Sequence, residues 1–179
     1  MNLYWRLLAL LLKLPFINTS DELKWTQTFR VLPSDCDINI HLTNSRYFAF
    51  ADLGRTYGMI KFGLFKHLIK NKWAAVVNAQ EITFIKQIPP FAKFTLETEL
   101  IYWDEKYWYI EQKFLLNSKV AAIAKFRGVY LEKGKVIPSS KVLAAKGISL
   151  EQPPLTDKIL KWKEMLDQKK QESLALQKS

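Results

Sequence analysis

The stretch SDCDINIHLTNSRYFAF, residues 34–50, crowds polar groups in front of an aromatic run. Asp35 and Asp37 stand two apart, His41 follows Asp37 by four, and Thr43, Asn44 and Ser45 precede Arg46, Tyr47 and Phe48. Capping a helix takes one such group. A carboxylate beside a helix start has the parts for acyl transfer. The carboxylate activates water or attacks a carbonyl, and the unpaired N–H groups of the first helical turn hold the developing oxyanion. On this reading an aspartate of the loop is the general base or nucleophile, and the backbone N–H of Asn44 is the oxyanion donor. The plainer reading makes Asp37 a turn residue that accepts backbone N–H groups. Asp35 reads as structural, satisfying loop amides or pairing with an arginine. His41 either orients substrate or water, or holds the loop through a carbonyl. The Asn44 side chain reads as a helix cap, with Thr43 and Ser45 as alternates, and Cys36 as a small buried spacer.

The elements that must position these groups are legible from periodicity. Leu23, Trp25, Phe29 and Val31 alternate with Lys24, Thr26, Thr28 and Arg30, which predicts a strand over 23–33. A helix is expected from Asn44 into the late fifties, reaching towards Lys70. Tyr47, Ala51, Gly54 and Gly58 share one of its faces. Two glycines there, each costing about 1 kcal/mol relative to alanine, predict a sheet passing close. Asp52 and Arg55 are spaced to pair. Strands are expected over 74–88, 93–103 and 107–116, and a long one over 120–138 that ends near Gly134. After Pro153-Pro154, Ile159, Leu160, Trp162, Met165 and Leu166 predict a helix that packs on the sheet, docks on a partner or joins a membrane. Residues past Lys169 are expected to fray. The order of elements is α+β.

The N-terminus, MNLYWRLLALLLKLPF, is apolar with Arg6 and Lys13 two turns apart, so Asn2, Arg6, Ala9 and Lys13 form a stripe. It is shorter than the ~20 residues that span a bilayer. A poor cleavage site argues against a signal peptide. A helix in the membrane interface, with Arg6 and Trp5 at the headgroups, fits best. Packing on the protein's own core or on a partner chain is the alternative.

Twenty-seven basic against 17 acidic residues leave a net charge of +10. The basic faces suit polyanions or phosphate-bearing ligands, or simply solubilise the chain. No helix-turn-helix, zinc module or RNA-binding aromatic motif accompanies them, so nucleic acid is not expected. One cysteine and two distant histidines offer no disulfide and no metal-ligand set.

One strand, an Asp-x-Asp loop, a helix and a meander of long strands resemble the hotdog fold, and most closely the 4-hydroxybenzoyl-CoA thioesterase-like family. The signature of that family is similar to Asp35, Asp37, His41, Asn44 and Tyr47 as spaced here, with Arg55 closing the helix motif. WDEKYWYIEQKF, residues 103–114, resembles a Trp-Asp turn in a membrane-linked branch with a hydrophobic N-terminal segment. The resemblance covers about residues 23–138. Ile40 stands where many members have glycine before the histidine, and Thr43 where many have a first asparagine. The spacing of Asp37 and His41 also suits a hotdog dehydratase, but the Asn-x-x-Tyr continuation favours the thioesterase.

The resemblance implies an antiparallel sheet wrapped around a central helix, with peripheral helices at both termini. It divides the chain into a hydrophobic helix and linker (1–22), the thioesterase-like domain (23–150) and an amphipathic tail (151–179). It implies hydrolysis of a fatty or aromatic acyl-CoA, with Asp37, His41 and Asn44 as the machinery and Tyr47, Phe48, Trp73 and Phe84 around the acyl group. Glu81 is either a second pocket carboxylate or an outward strand residue. Lys86, Arg46 and Lys125 meet CoA phosphates or are ordinary surface residues. No cofactor is implied beyond the coenzyme A of the substrate. The assembly implied is a homodimer or a dimer of dimers. The location expected is cytoplasmic, peripheral at the inner face of a membrane through residues 1–16. The alternative is a membrane-associated acyl- or lipid-binding protein without catalysis.

Overall fold

A computed structural model describes residues 2–147 and 150–177. Helix α1 (Asn2–Leu12) leads to strand β1 (Lys24–Arg30), and helix α2 (Asn44–Lys61) to helix α3 (Leu64–Asn71). The strands β2 (Trp73–Phe84), β3 (Lys93–Trp103), β4 (Trp108–Leu116), β5 (Lys119–Glu132) and β6 (Lys135–Ile137) follow, then helices α4 (Ser139–Lys146) and α5 (Asp157–Leu176). All strand pairs are antiparallel, in the order β1-β3-β4-β5-β2, with β6 beside β5. The sheet curls around α2.

The two glycines of α2 set how closely it can lie. A Cβ on Gly58 would fall 1.9 Å from the Trp25 ring, and one on Gly54 2.6 Å from Leu96. Both positions are therefore filled by the sheet, as the shared glycine face predicts. Trp25 also donates its indole N–H to the Gly54 carbonyl, 3.0 Å away. Tyr47 and Phe50 enter a ring cluster: Tyr47 meets Phe114 at 4.9 Å and Phe50 meets Phe94 at 5.0 Å between centroids. Burying such rings contributes about 1.5–3 kcal/mol each and fixes the helix axially. Beneath α2 lies a buried polar knot. Gln112 donates to the Ala51 carbonyl (3.1 Å) and to Thr98 Oγ1 (2.8 Å) and accepts from Arg55 (3.1 Å). Arg55 also pairs with Asp52, as its spacing predicts.

Several expectations are corrected. The helix does not run on to Lys70. Phe62 ends α2, and Gly63, at φ +75°, turns the chain into α3. The long strand over 120–138 is a hairpin, β5 and β6, turning at Lys133 and Gly134, both at positive φ. Helix α4 has no forecast in the sequence. Helix α5 continues past Lys169 to Leu176, while Lys178 and Ser179 lie outside the described residues. Of its three expected positions, α5 takes the sheet: Ile159 and Trp162 cover Tyr109 on the outer face.

Helix α1 is corrected too. Leu10 is buried and Arg6 turns inward, so the expected headgroup-facing stripe is broken at Arg6. A buried carboxylate on the domain attracts the guanidinium more strongly than an exposed position would. Tyr4, Trp5, Leu8 and Leu12 remain exposed on the other side. Met1, the first residue of the apolar segment, lies outside the described residues. Among the described residues no helix is long and apolar enough to cross a membrane.

Candidate active site

The polar stretch folds as two nested turns ahead of α2. Residues Pro33–Asp35 form a 3₁₀ turn that buries Asp35 to 2% exposure. Its Oδ2 accepts the Leu32 N–H (2.9 Å) and the Arg6 guanidinium (2.8 Å). Its carbonyl accepts the Thr43 N–H (3.0 Å), which closes the loop back onto the start of α2. Cys36 and Leu42 pair across the loop, so Cys36 is a half-buried bridge residue rather than a buried spacer. Asp35 has the structural role expected of it, with the arginine supplied by α1.

The tip runs from Asp37 to His41. The Ile40 N–H donates to the Asp37 carbonyl (3.1 Å) and the Asp37 N–H to the His41 carbonyl (3.2 Å). This tight closure needs a left-handed residue, and Ile40 takes that position at φ +58°. Glycine holds such a conformation without penalty, whereas a β-branched residue there is an outlier. The Asp37 carboxylate accepts the Asn39 N–H (2.9 Å) and lies 3.9 Å from His41 Nδ1, which is also 3.2 Å from the Leu42 carbonyl.

Helix α2 opens with Thr43 as its N-cap, in extended backbone and without a side-chain cap bond. Asn44 is therefore the first helical residue rather than the cap. No hydrogen bond among the described residues uses the Asn44 or Ser45 N–H. Asn44 lines a cavity of about 190 Å³ together with His41, Tyr47, Phe84 and Lys86. Burial pushes the Tyr47 hydroxyl up to about 12, so it stays protonated there. Tyr47 and Phe84 meet edge to face at 5.0 Å.

Four of the sequence-predicted residues thus converge on the cavity: His41, Asn44, Tyr47 and Phe84. Asp37 stands behind His41 rather than on the wall. Phe48 faces Phe126 inside the sheet. Trp73 belongs to a separate cluster with Phe62 and Leu64, near the C-terminal end of α2, and donates to Glu132. Strand β2 carries it there, because Trp73 opens the strand whose far end places Phe84 at the cavity. Glu81 pairs with Lys125 across strands at 2.9 Å, and Lys125 also lies over the Trp162 ring, which takes both away from the cavity. Arg46 lies by Arg6 and Asp35. Arg6 is the residue that sequence reasoning missed; its signal is a lone arginine in the middle of an apolar helix. Among the described residues no group of three His, Cys, Asp or Glu forms a metal-ligand set.

The model of the thioesterase-like superfamily matches residues 31–162, which includes the whole loop, the cavity and every strand of the sheet except β1. The chain belongs to the thioesterase-like superfamily. Among its relatives, Protein THEM6 of Xenopus laevis is 28% identical over 134 residues, 74% of this chain and 63% of that protein. A probable thioesterase of Saccharomyces cerevisiae, YBR096W, is 36% identical over 88 residues, 48% of this chain and 37% of that protein. The chain thus spans about half the length of these curated relatives. The solved 4-hydroxybenzoyl-CoA thioesterase from Pseudomonas sp. strain CBS-3 superposes with a TM-score of 0.61 at 14% identity, covering 68% of this chain and 98% of that one. The curled antiparallel sheet around α2 is the hotdog fold of this superfamily.

Proposed function

We propose that this superfamily member is an acyl-CoA thioesterase with Asp37 as its general base. The observation that carries the reading is the cavity at the start of α2, where Asn44, the first residue of the helix, and His41 meet Tyr47 and Phe84. A thioester carbonyl seated there directs its oxygen at the Asn44 N–H, where the helix dipole and unpaired donors stabilise the tetrahedral oxyanion. Asp37 stands off the wall, which suits a base acting through one water better than a nucleophile that must touch the carbonyl carbon. His41, 3.9 Å from Asp37, orients that water. Tyr47 and Phe84 supply an aromatic wall for a fatty or aromatic acyl group. Lys86, at the cavity mouth, is placed for a phosphate of coenzyme A. The named thioesterases among the relatives support the reaction class.

The sheet supports the proposed assembly. Strand β2, twelve residues long, lies at an edge with one row of backbone groups unpaired. Long open edges recruit another strand, so a second copy pairing along β2 gives the homodimer, and its pairing gives the dimer of dimers. The exposed Tyr4, Trp5, Leu8 and Leu12 of α1 support peripheral docking at the inner face of a membrane, through apolar contact and the basic charge of the chain. Cytoplasmic location is part of the same proposal.

Thiol release from a panel of acyl-CoAs, with wild type beside Asp37→Asn, tests the reaction. Turnover that falls roughly a hundredfold or more in the variant establishes the base, and the panel gives the acyl class. Full activity in Asp37→Asn removes this mechanism. The second reading, an acyl-binding protein without catalysis, draws on the strained Ile40 in the loop. It predicts acyl-CoA binding without turnover.

A further inference from the structure

The Asp37 loop is closed on itself, yet its base is pinned from outside. Between Asp35 and Thr43 the chain makes a ring sealed by the Asp35 carbonyl on the Thr43 N–H and by the Cys36–Leu42 pair. The anchor of that ring is the Asp35 carboxylate, almost wholly buried. A buried carboxylate is costly unless paired and hydrogen-bonded. Its ion-pair partner, Arg6, comes from α1, 29 residues away. The same guanidinium donates to the Arg30 carbonyl at the end of β1 (3.0 Å) and lies 4.5 Å over the Phe50 ring of α2. Arg6 therefore touches three parts that bracket the loop: the strand before it, its buried carboxylate, and the helix after it. Burial draws the Arg6 guanidinium down while Asp35 opposes that pull, as expected of a cation that has left water for this contact. Arg6 also lies outside residues 31–162, the region matched to the superfamily. The shared domain carries the carboxylate, and the preceding helix supplies its counter-charge.

We infer that α1 is a strap on the Asp37 loop and that Arg6 is a positioning residue for the proposed hydrolysis. Through Asp35 it fixes the distance between Asp37, His41 and the N–H groups of α2. The inference rests on the thioesterase reading for its kinetic consequence, but its geometric consequence stands independently. Misplacing a catalytic group by about 1 Å can cost a hundredfold in rate, so a strap on the loop acts on turnover more than on substrate capture.

The test uses the full chain with Arg6→Met, which keeps the apolar stem, and Arg6→Lys, which keeps the charge without the fork. Two readouts are taken: kcat and KM on the best acyl-CoA of the panel, and amide hydrogen exchange at Asp37, Ile40 and Thr43. In Arg6→Met, kcat falls roughly tenfold or more with KM nearly unchanged. The three amides exchange faster, while those of β4 and β5 do not. Arg6→Lys recovers part of both effects. Unchanged exchange at the three amides overturns the strap. A lowered unfolding temperature with kcat per folded molecule retained also overturns it, because Arg6 then only holds α1 down. Should wild type hydrolyse no acyl-CoA, the thioesterase reading falls and the exchange readout alone decides the strap. Should Arg6→Met not fold, the comparison of Arg6→Lys with wild type decides it by the same two readouts.

Discussion

At the scale of the residue, the loop carries a conflict between side chain and backbone. Ile40 occupies the left-handed region at φ +58° and is 70% exposed, so little burial offsets the strain. A left-handed residue with a Cβ costs about 1–2 kcal/mol, and β-branching adds to it. Ile40→Gly is therefore expected to raise stability by about 1 kcal/mol, net of the extra entropy that glycine brings to the unfolded chain. A thermal melt that moves down instead would show that Ile40 makes a contact worth more than its strain. Asp35 and Asp37, two residues apart and chemically identical, sit in opposite surroundings. One is buried and paired with Arg6, and the other is part-exposed behind His41.

At the scale of the element, the decisive contact is between α2 and the sheet. The cavity depends on where α2 starts, and the start depends on how deeply the helix sits. Gly58→Ala inserts a methyl group into the Trp25 ring, so either ring or helix must shift. Overpacking of this kind costs about 1–3 kcal/mol. Lowered stability together with lowered acyl-CoA turnover is the expected pair of results, measured by denaturant unfolding and thiol release. Helix α5 is held differently, by Trp162 on Tyr109 and by Lys163 on Asp104 and Lys158 on Glu111. Burial works against the charge of Asp104 and Glu111, but hydrogen bonds and the lysines outweigh it and hold both carboxyls below their ordinary 3.8 and 4.5. A carboxyl depressed in the folded state contributes stability that is present above its unfolded value and is lost as pH falls through the folded one. The docking of α5 is thus full at neutral pH and weakens in acid below about pH 4. Proteolysis of α5 that accelerates there, before the sheet unfolds, checks this. A cut rate that is flat with pH would put the docking on Trp162 and Ile159 alone.

At the scale of the whole molecule, the open edge of β2 is the feature on which the proposed dimer rests. Sedimentation at micromolar concentration is expected to give about twice 20.9 kDa or a multiple of it, and a lone 20.9 kDa species would remove the dimer. Much of this architecture was readable beforehand because it is local. Side-chain pattern placed β3 and β4 nearly to the residue and β1 with an overrun of three residues at its end, and the shared face of Gly54 and Gly58 announced the sheet that covers them. The Asp-x-Asp loop ahead of a helix is equally local, since turn chemistry and helix N–H groups act within a few residues. What the chain alone determined is therefore its class, the run from β1 through α2 to the strands that follow, and the polar loop that belongs at the start of α2. Tertiary structure decided the rest. It sent Trp73 to the far end of α2, laid α5 on Tyr109, set His41 between Asp37 and the cavity, and brought Arg6 to Asp35. Those contacts join residues far apart in sequence. Their energies come from burial and charge pairing that exist only once the sheet has curled, and no period or spacing encodes them.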